Sequence, residues 1–220
     1  SSSSLSTNRI AIVYFEGDIL KNGGKGTISM DRYEKVFDRI AKNDKVKAVV
    51  LRVNSGGGDA VVSDIIWDRV EELKSKGKYV VASFGDYAAS GGYYISCSAD
   101  KIVTQPNTLT GSIGVFAMLP DFSNTLSNKL GINFDTIGTG RNTFIYSSLV
   151  SRSKAQNEKI QAETEQTYDL FIRRVAEGRN MSVDEVDEVA QGRVWSGEDA
   201  VDAGLADEIG DLKEAIALAA

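Results

Sequence analysis

Two rhythms of hydrophobic residues alternate through about residue 140. "RIAIVYFEGDI" (9–19), a β-branched and aromatic run closed by Gly17, predicts a strand. "VKAVVLRV" (46–53) and "YVVASF" (79–84) are nearly continuous apolar runs, the pattern of strands covered on both faces. Between them the spacing turns helical. "SMDRYEKVFDRIAKN" (29–43) places Tyr33, Val36, Phe37 and Ile40 on one face, with Ser29 as the cap. "AVVSDIIWDRVEELKSKG" (60–77) does the same with Val62, Ile65, Ile66, Val70 and Leu73, and ends at Gly77. A helix is expected after Ser90. "KIVTQ" (101–105) and "SIGVF" (112–116) predict short strands around the turn "PNTLTG", "FSNTLSNKLG" a short helix, and "NFDTIG" (133–138) a further strand.

Beyond that point the pattern is helical: a long helix from about Lys154 to Gly178, then "SVDEVDEVAQG", where Ser182 and Glu185 form a capping box. "SGEDAVDAGLADEIGDLKEAIALAA" predicts two more helices joined by a turn. The fold class is α/β: a mostly parallel sheet flanked by helices, with a helical C-terminal third. No short-period repeat and no internal domain boundary is visible from residue 9 to residue 220; "SSSSLSTN" (1–8) has the composition of a linker or tail.

Composition narrows the chemistry. With 42% hydrophobic residues in 220, a sizeable core can be buried. The net charge is −6 and no basic stripe is present, which argues against a nucleic-acid partner. There is no histidine and a single cysteine, so zinc chemistry is excluded and no cofactor is implied. Cys97, in an apolar run, is expected in the core. No stretch reaches the roughly 18 apolar residues of a membrane span.

Two segments can carry chemistry. "RVNSGGGDA" ends the strand 46–53, and its glycines either make a tight turn or expose backbone N–H groups to an anion. Ser90 lies in "DYAASGGYYISCSAD" beyond the neighbouring strand, so the two carboxyl ends should lie side by side. Ser90 would then face the glycine loop, with the Gly91 N–H as an oxyanion donor. Asp86 has no imidazole to orient and no triad role. Tyr93, Tyr94, Trp67 and Trp195 are expected to pack, and "DEVDEV" to be a solvated face with an apolar valine stripe.

"LRVNSGGG", "AASGGYYIS", "TLTGSIGV" and "GRVWSGEDAVDAGLADEIG" resemble, in this order, the signal peptide peptidase (protease IV) family of serine peptidases. The resemblance runs from about residue 9 to the end. It implies the spiral fold of Clp peptidases and crotonases, with Ser90 as nucleophile and a lysine as general base. It also implies an oxyanion donor at Gly57, with Gly56 replacing the family's proline, and a hydroxyl at Ser112 that orients the lysine amine.

Where the family's lysine is expected, "TIGTGRNTFIYSS" offers Arg141, Asn142 and Thr143. Arginine does not lose its proton near neutral pH. The nearest lysines are Lys129 and Lys154. The resemblance is to the C-terminal half of double-length members, which implies a lysine supplied by an N-terminal homologous half or by another protomer. It implies an isolated chain that is inactive, hydrophobic signal peptides as substrates, a homo-oligomer, and a site on the extracytoplasmic face of the bacterial cytoplasmic membrane. Two alternatives stay open: a non-catalytic assembly domain of the same fold, and a crotonase-like acyl-CoA enzyme.

Overall fold

The computed structural model describes residues 7–220; most of the expected tail, residues 1–6, lies outside them. The chain forms two compact units, one from the segment up to Gly114 together with Leu170–Ala220, the other Val115–Asp169.

The first unit is built on a sheet. Strands β1 (Arg9–Glu16), β2 (Val46–Ser55), β3 (Tyr79–Ala89), β4 (Lys101–Thr104) and β7 (Glu208–Ile209) lie side by side in that order, every neighbouring pair parallel. Parallel strands need crossovers, which α1 (Met30–Ala41) and α2 (Ala60–Ser75) supply. One face of the sheet presents Ala48, Val50, Val81 and Val103 to Ala215 and Ala219 of α8 (Leu212–Ala219). The alternate residues face the other way: Phe15, in register with Val53, stacks on Tyr33 of α1 at 4.6 Å and approaches Phe37 at 6.1 Å. That two-sided burial is why β2 reads as a continuous apolar run.

The helix ends follow local chemistry. Asp59 caps α2 by accepting the Val62 N–H. Ser182 and Glu185 form the expected capping box on α6 (Val183–Val189). Ser29 precedes α1 but makes no side-chain cap bond. On α2, Val62, Ile66, Val70 and Leu73 are buried, whereas Ile65 is 42% exposed: it falls at the edge of the apolar stripe.

Three expectations change. "SIGVF" is not a strand; β5 is Leu109–Gly111, pairing with β3 and, antiparallel, with β6 (Val194–Trp195). Positive φ at Gly111 (72°) and Ser112 (46°) turns the chain out of extended geometry before "SIGVF". "NFDTIG" forms no strand, and Phe134 and Ile137 are exposed. The last segment is α7 (Gly197–Asp202) and α8 with the two-residue β7 between them, rather than a plain turn.

The second unit holds α4 (Ser123–Leu130), closed by left-handed Gly131, and the start of α5 (Lys154–Arg179). Arg152 ties it together through the carbonyls of Leu119 (2.7 Å) and Ser147 (3.2 Å).

Candidate active site

Parallel strands deliver their carboxyl ends to one edge of the sheet. β2 ends in Asn54-Ser55 and runs into Gly56-Gly57-Gly58; β3 ends in Ala88-Ala89 and runs into Ser90. The register of the two strands slips between Val53 and Ser55. Asn54 fills the irregularity, its Oδ1 accepting the N–H groups of Asp86 (3.0 Å) and Tyr87 (3.2 Å). Asp86 is exposed, and among the described residues it is held by its backbone alone.

Ser90 sits on a sharp turn between β3 and α3 (Gly91–Tyr94), with φ 52° and ψ −122°. That backbone costs a non-glycine residue roughly 1–3 kcal/mol and persists only where the surroundings impose it. They do so here: the Ser90 N–H donates to Gly111 O at 2.9 Å, and Ser90 O accepts the Tyr94 N–H at 2.9 Å. A strained strand-to-helix turn is the local geometry that thrusts a nucleophilic serine out of the sheet. The helix expected after Ser90 is present but is one turn long.

The glycine loop presses on this turn. A Cβ at Gly57, whose φ is +102°, would lie 2.5 Å from Gly91 N and 2.9 Å from Ser90 Cβ. One at Gly91 would meet Ser63 Oγ at 2.6 Å and the Gly57 Cα at 3.2 Å. One at Gly92 would meet Ser55 O at 2.5 Å. Gly57, Gly91 and Gly92 are thus explained by the close approach of the two segments, whereas Gly58 is required by its contact with Ile19.

The N–H groups of Gly91 and Gly57 flank the turn at Ser90. That of Gly91, at the start of α3, has no hydrogen-bond partner among the described residues. Gly57 N–H donates instead to Ser55 Oγ (3.1 Å), which itself donates to Gly17 O (2.7 Å). Ile19 occupies one side of the loop, its N–H on Gly57 O (2.9 Å) and its carbonyl accepting the Asp59 N–H (2.8 Å). In a parallel pairing of this kind the intervening residue, Gly58, points its own N–H and carbonyl to the opposite, open side. The contacts of Ile19 and Ser55 with the glycine loop were not read from the sequence; nothing in composition marks them.

Ser112 lies next to Ser90. Ala89 pairs with Gly111, so the two serines directly follow paired residues of the adjacent strands β3 and β5, and both have positive φ. The Ser112 N–H donates to Arg193 O at 2.7 Å, and Trp195 covers Gly111. The structure therefore brings all four sequence motifs to one place. Neither serine hydroxyl has a hydrogen-bond partner among the described residues.

Lys129 and Lys154 both belong to the Val115–Asp169 unit. Lys129 lies in the last turn of α4. The Lys154 side chain is 92% exposed and pairs with Glu158 at 3.7 Å. Lys78 is buried, but at the opposite end of β2, with its ammonium on the Asn43 and Val46 carbonyls (2.8 Å each). Cys97 is buried, and desolvation pushes its thiol up to about 12. Among the described residues no cluster of three His, Cys, Asp or Glu side chains is placed to hold a metal ion.

The profile of peptidase family S49 matches residues 72–220. Protease 4 of Haemophilus influenzae is 43% identical over 217 residues, covering 95% of this chain and 34% of that protein. A Methanocaldococcus jannaschii protein named as a protease is 37% identical over 215 residues, covering 94% of this chain and 68% of that protein. Among solved structures, ClpP1 from Listeria monocytogenes superposes with a TM-score of 0.59 over 93% of this chain and 94% of that one, at 17% identity, which establishes the Clp protease fold. The chain spans about a third of the length of the first curated relatives it matches. With its four motifs gathered at one site, a profile match over most of its length and relatives at this identity, the chain belongs to peptidase family S49.

Proposed function

We propose that this chain is the serine-bearing domain of a Ser/Lys peptidase that degrades hydrophobic signal peptides left after secretion. The observation that carries the reading is the strained turn at Ser90, pressed against the Gly57 loop with the Gly91 N–H beside it. In the first step Ser90 Oγ gives its proton to a neutral lysine amine and attacks the peptide carbonyl. The oxyanion is met by the Gly91 N–H and by the glycine loop. Gly57 can donate only after leaving Ser55 Oγ, whereas Gly58 already faces the open side. The lysine returns the proton to the departing amine, and water then cleaves the acyl-enzyme. Ser112 orients the lysine. An extended peptide would pair with the open side of Gly58, because Ile19 takes the other.

The lysine comes from outside these 220 residues, from a homologous N-terminal half or another protomer, with Lys154 and Lys129 the candidates in this chain. The length of Protease 4 beyond the matched third leaves room for such a half. Assembly into a homo-oligomer and a position on the extracytoplasmic face of the cytoplasmic membrane belong to the same proposal; among the described residues no helix is long and apolar enough to cross a membrane.

The test compares the 220-residue chain with the full-length protein on an apolar peptide. The chain alone should show little hydrolysis, since a positioned base is worth roughly 10²–10⁴-fold. The full-length protein should cleave, Ser90→Ala should abolish cleavage, and Ser112→Ala should weaken it less. Cleavage by the chain alone that is lost in Lys154→Ala or Lys129→Ala would place the base in this chain. A full-length protein without hydrolysis would favour the assembly-domain reading.

A further inference from the structure

The one-turn helix α3 is too short to hold itself, because a single helical turn is unfavourable in isolation. Its last residue, Tyr94, closes the turn through its N–H on Ser90 O. The Tyr94 side chain has other partners than that of Tyr93, whose hydroxyl donates to Leu205 O at 2.8 Å. Tyr94 Oη donates to Asp64 Oδ1 of α2 at 2.7 Å, and its ring packs on Phe171 of α5 at 4.7 Å. Arg174, one helical turn beyond Phe171, brings its Nε to 3.6 Å from the same Asp64 oxygen and lays its guanidinium 3.6 Å from the centre of the Trp67 ring. Asp64 and Trp67 themselves are three residues apart on α2, on neighbouring positions of its surface. Three helices thus meet at one phenol, four residues from Ser90.

We propose that Tyr94 and Asp64 are positioning residues for Ser90: their hydrogen bond clamps α3 to α2 and so holds the Ser90 backbone at its strained angles. This rests on the peptidase reading of Ser90. Without the clamp the turn relaxes toward ordinary φ, and Oγ moves away from the line of attack. The cost falls on the chemical step, not on peptide binding, because the bond acts on the Ser90 backbone through α3.

The experiment uses the full-length protein with Tyr94→Phe, Asp64→Ala and Asp64→Asn. Phenylalanine keeps the ring on Phe171 and removes only the hydroxyl. Asparagine keeps an oxygen that can accept from it. Tyr94→Phe and Asp64→Ala should each lower kcat about tenfold, equivalent to about 1.4 kcal/mol, with KM unchanged. Asp64→Asn should restore most of the rate, and the double variant Tyr94→Phe/Asp64→Ala should be no slower than either single one. Asparagine as damaging as alanine, an unchanged kcat in Tyr94→Phe, or a loss confined to KM would overturn the clamp. If the wild-type protein cleaves nothing, the peptidase reading fails, and amide exchange decides the clamp separately. Exchange at residues 91–95 should then be at least about tenfold faster in Tyr94→Phe, and equal exchange would overturn it.

Discussion

Replacing Gly57 by alanine probes the contact on which the site depends. The new methyl carbon would lie 2.5 Å from Gly91 N, 2.9 Å from Ala89 O and 2.9 Å from Ser90 Cβ. Two of these are backbone atoms, so no flexible side chain can give way. The residue must also hold φ +102°. A left-handed backbone costs an L-residue about 1–2 kcal/mol, and overpacking adds about 1–3 kcal/mol. At 2–4 °C per kcal/mol for a chain of this size, the sum lowers Tm by about 4–20 °C. Relief of the clash moves the Ser90–Gly91 backbone by on the order of 1 Å, enough to cost roughly 100-fold in rate. The control is Gly56→Ala, one residue away, where a Cβ meets nothing within 4 Å. Thermal unfolding of the chain by circular dichroism and peptide hydrolysis by the full-length protein should both separate the two variants. A Gly57→Ala protein that melts with the wild type and hydrolyses at a similar rate would show that the glycine loop does not touch the serine turn.

Two further outcomes follow from charge and burial. Burial raises the Asp207 carboxyl, but hydrogen bonds from Arg179 (2.9 Å), the Ile102 N–H (2.8 Å) and Lys101 (3.3 Å) outweigh it and hold the group below the usual aspartate range. Its stabilisation is therefore complete above about pH 4 and is lost as the pH falls through the lower folded value, so Asp207→Asn should be less stable than wild type at pH 7 by about 1–3 kcal/mol, the gap narrowing in acid. A gap independent of pH would refute the ionic contribution. Desolvation pushes the Cys97 thiol up to about 12, so the native chain should resist alkylation by iodoacetamide at pH 8 and react once unfolded; rapid native labelling would contradict its burial.

Much of the scaffold was legible because local chemistry and packing agree. Two-sided burial made β2 and β3 continuous apolar runs, and the cap of α6 was written in Ser182 and Glu185. Other features depend on partners far along the chain. β5 stops at Gly111 because Gly111 and Ser112 turn left-handed against Trp195 and Arg193, more than eighty residues later. "NFDTIG" carries the apolar Phe134 and Ile137 expected of a strand, but both remain exposed and, among the described residues, no strand pairs with it. The motif serine and its glycines were readable as a group. The angles of Ser90, the hold of Ser55 on the Gly57 N–H and the Asp64–Tyr94 bond are tertiary facts, invisible in residue spacing. Where the resemblance places a lysine the sequence offers Arg141, Asn142 and Thr143, and neither spacing nor fold names the residue that would act as base.

The most direct test of a lysine-activated Ser90 is covalent. A fluorophosphonate reacts with an activated serine by forming an oxygen–phosphorus bond as fluoride leaves, and peptide mass spectrometry locates the adduct. In the full-length protein the adduct should sit on Ser90 and disappear in Ser90→Ala, while the 220-residue chain alone stays unlabelled. Labelling of a different serine, or none in the full-length protein, would contradict the assignment.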